Sequence, residues 1–161
     1  MTMSKEDIAT AVFETLASEL TRLGLKKLSA RISTPKGVAP GTHFSEKDIA
    51  IVVSIARPVR TTVDEFLYKN RIMAEIVQIE GKGRLSQKEE DWTAIVAEFY
   101  QIIWKIQSML GAPTYHLFVA APAALTFALG AVLGLNYDVH VYHWFGDDYK
   151  EVLVTSSKLL G

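Results

Sequence analysis

Residues 116 to 134 read HLFVAAPAALTFALGAVLG, with no Asp, Glu, Lys or Arg among them. A run of that length and polarity has to leave water, so it limits every fold the chain can adopt. It can cross a membrane, fill a core or floor a binding site. Extended to Leu135, it approaches the length of a membrane span. Three features weigh against a span: Pro122 divides it, Ala and Gly supply much of it, and no Lys or Arg flanks it closely. The same pattern fits a strand buried on both faces followed by a buried helix.

The rest of the chain can supply the core such elements need. It has 161 residues, 49% apolar and 22% charged, which suits one globular domain. A net charge of -1 argues against a general binder of long nucleic acid. The absence of cysteine excludes disulfides, thiol nucleophiles and zinc–thiolate sites. That suits a cytoplasmic protein. The start, MTMSKEDIATAVFETL, is charged and then amphipathic, and lacks the apolar stretch of a signal peptide. No membrane partner is expected.

Hydrophobic periodicity places the elements. Ser4 is positioned to cap a helix running to Leu23, with Gly24 as its stop. Residues 26–46 mix a short strand with a Pro/Gly-rich loop. DIAIVVSIA, residues 48–56, predicts a central, buried, parallel strand. Pro58 breaks it, and Thr61 or Thr62 can open a short helix. RIMAEIVQIE, residues 71–80, predicts a second strand. Ser86 and Glu89 have capping-box spacing. Behind them Trp92, Ile95, Val96, Phe99, Ile103, Ile106 and Leu110 predict a long helix ended by Gly111 and Pro113. YHLFVAA predicts a third strand, with a helix from Pro122 to Leu133 capped by Gly134. DVHVYHW and YKEVLVT predict a strand–turn–strand end. Strands alternating with helices imply an α/β layer sheet with right-handed crossovers.

Sheets of this kind bind ligands beyond the carboxyl ends of their strands, at the point where the strand order reverses. Two turns belong there. In Ala121-Pro122-Ala123, no side chain can cap the helix, so its first N–H groups face the cleft as anion donors or are simply capped by water. In the other, Ser54, Ile55, Ala56, Arg57, Arg60, Thr61 and Thr62 gather hydroxyls and guanidiniums that suit phosphate, or form an ordinary surface loop. Arg22, Lys26, Lys27, Arg31 and Lys36 make a further basic stretch with no acid between Leu20 and Ser45. His140 and His143 lie three apart on a strand and face opposite sides, so they do not chelate one ion together. His116 has a structural role. No metal site, cofactor motif or Ser-His-Asp grouping is expected.

HLFVAAPAALTFALGAVLGLNYDVHVYHWFGDDYKEVLV resembles the final segment of SAVED domains, the sensor domains of bacterial cyclic-oligonucleotide defence systems (CBASS and type III CRISPR). DIAIVVSIARPV resembles an earlier strand of that family, which ends in Ser and a polar turn. The resemblance spans residues 46–155 and implies a Rossmann-like, mainly parallel sheet flanked by helices, in a single SAVED/CARF-like domain over 1–161 with an N-terminal helix within 1–27. It implies a cyclic oligonucleotide ligand of the oligoadenylate type, met by Ser54, Arg57 and the Ala121–Ala123 turn. A full SAVED domain is two CARF-like halves, and this chain has room for one. The missing half is expected from a second copy in a homodimer, whose two-fold cleft suits rings of even size. Head-to-tail stacking and a separate effector subunit stay open. So do two other functions: a metal-independent ring nuclease using Ser54, Arg57, Thr61 and Thr62, and a partner-binding subunit without nucleotide.

Overall fold

The computed structural model describes residues 2–37 and 47–156. Four helices and six strands alternate along it: α1 (Lys5–Arg22), β1 (Leu28–Ser33), β2 (Asp48–Ser54), α2 (Arg60–Lys69), β3 (Glu75–Gly81), α3 (Glu89–Leu110), β4 (Thr114–Ala120), α4 (Ala123–Leu133), β5 (Asp138–Trp144) and β6 (Tyr149–Thr155). The loop predicted within 26–46 lies outside the described residues from 38 onward.

One sheet carries all six strands in the order β1-β3-β2-β4-β5-β6. β3, β2, β4 and β5 run parallel, while β1 and β6 pair antiparallel at the two edges. The unbroken apolar run makes β2 central: Ile49 to Val53 are all buried, between β3 and β4. On one face, α1, α3 and α4 cover a large core containing Leu16, Ile51, Val53, Phe99, Ile102, Tyr115 and Leu125. On the other, α2 covers a smaller core of Val52, Val63, Phe66, Leu67, Ile76, Phe118 and Tyr149. The chain therefore leaves β2 toward one face and β4 toward the other, and β2 and β4 are neighbours. That is the reversal of strand order at which a crevice opens.

The ends of the elements depart from their predicted places for local reasons. The strand predicted over 71–80 starts at Glu75, because residues 70–72 are spent leaving α2. Asn70 and Ile72 donate back to Phe66 and Leu67 carbonyls, and Arg71 takes a φ of 55°. The Ser86/Glu89 capping box is not formed. Lys88 is the N-cap of α3, without a side-chain cap. Ser86 instead bonds the Asp91 carboxylate and accepts the Lys88 N–H at 3.2 Å. A capping box forms at α1, where Ser4 and Asp7 bond each other's backbone N–H. Pro122 is the N-cap of α4 and not its first helical residue.

The uncharged stretch that opened the sequence is β4, α4 and the turn between them. Within α4, Leu125, Leu129 and Leu133 are buried. Among the described residues, no helix is long and apolar enough to cross a membrane.

Candidate ligand-binding site

The carboxyl ends of β3, β2, β4 and β5 form one rim, and Ser54 is level with both Glu80 of β3 and Ala120 of β4. The loop after β2 is tied to the end of β4. Ile55 and Ala56 N–H both donate to the Ala120 carbonyl, at 2.9 and 2.7 Å. The loop also closes on itself, since Val59 N–H donates to Ser54 Oγ at 3.3 Å. The two turns singled out in the sequence are thus joined by backbone hydrogen bonds. This follows from parallel pairing of β2 and β4, which was readable from their apolar runs.

At the β4 side, α4 begins without a cap. Pro122 takes φ -55° and ψ 147° and offers no side-chain acceptor. The N–H groups of Ala123, Ala124 and Leu125 occupy the first helical turn, where no intrahelical carbonyl can reach them. Thr126, one residue later, donates its N–H to Pro122 O at 2.9 Å and its hydroxyl to the same carbonyl at 3.1 Å. Ala123 and Ala124 are small and exposed, so an anion can approach this positive helix end.

At the β2 side, the two arginines part company. Arg57 is exposed and has no hydrogen-bond or ion-pair partner among the described residues. Arg60 turns away from the rim, over the sheet face that α2 covers. Its Nε donates to Asp64 Oδ1 at 3.0 Å, Nη1 to Ser33 Oγ at 2.7 Å and Gln78 Oε1 at 3.1 Å, and Nη2 to Thr34 O at 3.2 Å. All three nitrogens of its guanidinium are engaged, so it holds α2 against β1 and β3. Thr61 is exposed, whereas Thr62 donates to Val59 O at 2.9 Å and shares a hydrogen bond with the Tyr149 hydroxyl. Ile55 is half-buried and Ala56 exposed.

Sequence reasoning passed over the loop after β3. That loop reads Gly81-Lys82-Gly83-Arg84. In the fold it borders Ile55 across a cavity of about 60 Å³ lined also by Lys27, Leu85, Ser86 and Asp91. Lys82 is spoken for, with its ammonium donating to Leu25 O at 2.5 Å. Arg84 is exposed with no partner among the described residues. The signal that could have found it is strand order: β3 adjoins β2, so its loop must adjoin Ile55 and Arg57.

Charge along the rim is uneven. Lys27 and Asp91 neutralise each other at 2.8 Å. Hydrogen bonds from Lys27 and Ser86 hold the Asp91 carboxyl below the usual carboxylate range. That leaves Arg57 and Arg84 with Lys82 on the β2–β3 side. On the β5–β6 side, Asp148 pairs with Lys69 at 2.8 Å and Asp147 is exposed. An anionic ligand is therefore drawn toward β3, β2 and the start of α4, and away from the β5–β6 turn.

The other sequence candidates lie elsewhere. Arg22, Lys27 and Arg31 each face a carboxylate, of Glu19, Asp91 and Glu80. His116 is buried, bonded at 2.9 Å to both the Tyr142 hydroxyl and Asp48. Burial pushes the Tyr142 phenol up to about 12, with Glu151 and Asp48 adding to the effect, so the phenol stays protonated. His140 stacks on His116 and bonds Glu151, whereas His143 is exposed and packs against Phe145. Among the described residues, no group of three or more His, Asp or Glu is placed to hold a metal ion.

A reversed-order parallel sheet, with a basic rim on one side and an uncapped helix start on the other, defines a Rossmann-type ligand-binding domain. The particular family follows from comparison with known proteins. The model of the SAVED family, described as the SMODS-associated and fused to various effectors sensor domain, matches residues 26–154. The chain belongs to the SAVED family. Two solved structures of an Acinetobacter baumannii Cap4 SAVED/CARF-domain containing receptor share the fold. The one with the cyclic trinucleotide 3'3'3'-cAAA has a TM-score of 0.63 and 17% identity over 81% of this chain. The one with 2'3'3'-cAAA has a TM-score of 0.64 and 15% identity over 81% of this chain. This chain spans 27% and 28% of those two chains. No curated protein matches it.

Proposed function

We propose that this protein binds a cyclic oligonucleotide second messenger of the oligoadenylate type, as a sensor or regulatory subunit in bacterial antiviral defence. The observation that carries the proposal is the joining of two complementary anion features at one strand-order reversal. The N–H groups of Ala123–Leu125, which have no intrahelical acceptor, and Arg57 and Arg84, which have no partner among the described residues, gather about the loop that hydrogen-bonds across to Ala120. Membership of a sensor-domain family supports it, as do fold relatives whose solved structures carry cyclic trinucleotides. Ring phosphates meet the helix start and the arginines, while Ser54 shapes the loop between them.

The ring is held between two copies of the chain, each offering one rim. Two identical rims related by a two-fold axis suit rings of even nucleotide number. A cyclic tetranucleotide therefore binds more tightly than a cyclic trinucleotide.

Equilibrium titration with labelled rings tests this. Arg57→Ala is expected to weaken binding about tenfold to a hundredfold, the worth of a charge-assisted hydrogen bond. Equal affinity in the variant would remove Arg57 from the site. Chromatography of the same mixtures after long incubation separates binding from cleavage, since an intact ring identifies a sensor and linear products a ring nuclease.

A further inference from the structure

Glu98 stands on the core-facing stripe of α3. The other buried members of that stripe, Ile95, Phe99, Ile102, Ile103 and Ile106, are all apolar. Burying a carboxylate costs stability unless hydrogen bonds replace its water, and here those bonds come from one place. Its Oε1 and Oε2 accept the Lys27 backbone N–H at 3.0 and 2.9 Å, and Oε1 also accepts the Leu28 N–H at 3.4 Å. Glu98 therefore fixes the backbone where the chain enters β1. Lys27 is in turn the front anchor of the loop after β3. Its carbonyl accepts the Lys82 N–H at 2.8 Å, and the Lys82 ammonium reaches Leu25 O. Its own ammonium pairs with Asp91 at 2.8 Å. The rear anchor is the first turn of α3: Asp91 bonds the Ser86 hydroxyl, and the Trp92 indole N–H donates to Ser86 O at 2.7 Å. Arg84 lies midway between the anchors, just after Gly83 turns the chain with a φ of 79°. Its side chain has no partner among the described residues, so the loop backbone alone sets where it starts from.

We infer that Glu98 is a positioning residue for the proposed ring site. Through Lys27 it holds the loop that presents Arg84 beside Ile55, while its own burial keeps it from touching a ligand. The inference rests on the ring-binding function, with Arg84 as the link between them. Two observations select this role over plain support of the core. An apolar side chain of similar length would fill the same place in the stripe without the cost of a buried charge, so packing does not call for a carboxylate. The groups that Glu98 holds also belong to no neighbouring turn of α3 and to no core side chain. They are backbone N–H groups about 70 residues away in sequence, in the segment to which the β3 loop is bonded.

The test combines amide hydrogen exchange by NMR with titration of a labelled cyclic tetraadenylate, both on the full chain. Glu98→Met keeps the length of the side chain and removes its acceptors. In that variant the Lys82 amide should exchange about tenfold faster or more, since hydrogen bonds to a charged group no longer hold Lys27. The Ile51 and Ile103 amides, in β2 and the middle of α3, should keep their protection. Arg84→Ala is expected to weaken ring binding about tenfold, and Glu98→Met about threefold or more. The double variant should bind like Arg84→Ala alone, because Glu98 acts through Arg84, whereas a merely structural support would add its loss in either background. Glu98→Gln keeps one acceptor oxygen but turns an NH₂ toward the second N–H. It should move both readouts in the same direction by less, and it carries the test if the methionine variant does not fold. Unchanged Lys82 exchange in the folded variant overturns the inference. So does wild-type affinity in Arg84→Ala, or a Glu98 effect on affinity as large without Arg84 as with it. A wild-type protein that binds no ring sinks the ring-binding function, and Lys82 exchange then still decides whether Glu98 holds the loop.

Discussion

Arg57 and Arg60 stand three residues apart in the same loop-to-helix segment, and in sequence they are equivalent cations beside threonines. The fold gives them opposite work. Arg57 points into solvent at the rim, while Arg60 reaches Ser33, Thr34, Asp64 and Gln78. Arg60→Ala leaves the buried Asp64 carboxylate without its cation, and should cost about 2–4 kcal/mol of stability by urea denaturation. Arg57→Ala should leave the denaturation midpoint where it is and act on ligand affinity. Unchanged stability in Arg60→Ala would mean that its hydrogen bonds do not hold α2 to the sheet. No sequence pattern could separate these two arginines. Three of Arg60's four partners are distant in the chain, and Ser33 and Thr34 lie at the end of β1 and just beyond it, a strand whose pairing with β3 has no local signal. Arg84 escaped notice for a similar reason, because only strand order brings it beside Ile55. Ser54 and the Ala121–Ala123 turn were legible, because each closes an apolar run and their places follow from parallel pairing alone.

Elements whose pattern repeats were legible from that pattern. The three-four spacing of α3 and the unbroken run of β2 located both, and burial of Ile95, Phe99, Ile103 and Ile106 agrees with it. What patterns misplace is an element's end, where one or two hydrogen bonds decide. Ser86 had the spacing of a capping residue, yet Asp91 and the Lys88 N–H hold it ahead of the helix. In the proposed site the start of α4 matters most at this scale, because what it offers comes from backbone and not from side chains. Ala123→Pro isolates that contribution. Proline is tolerated at the first helical position, and Pro122 already has the extended ψ of 147° that a following proline needs. The substitution removes one N–H and should leave the helix formed. Ring affinity is expected to fall about tenfold with the circular-dichroism spectrum unchanged. Full affinity in this variant would show that the helix start does not touch the phosphates.

At the scale of the molecule, alternation of strands and helices announced the α/β class, and the sheet has it. The strand order and the antiparallel β1 at the far edge were not announced, since both depend on contacts between distant segments. Strand order builds the proposed site: it sets β2 beside β4, sends α2 and α4 to opposite faces, and lines the rim with Arg57, Arg84 and the α4 start. A ring bridging two rims stabilises the pair by mass action, so ligand should raise both melting temperature and the dimer fraction. The most direct measurement is a panel of cyclic oligoadenylates, scored in the same samples by thermal shift and by sedimentation. The expected result is a rise in melting temperature with at least one ring, largest for an even-membered one, accompanied by a shift to dimer and abolished by Arg57→Ala. No thermal shift with any ring of about two to six nucleotides, at concentrations far above a micromolar dissociation constant, would contradict the account.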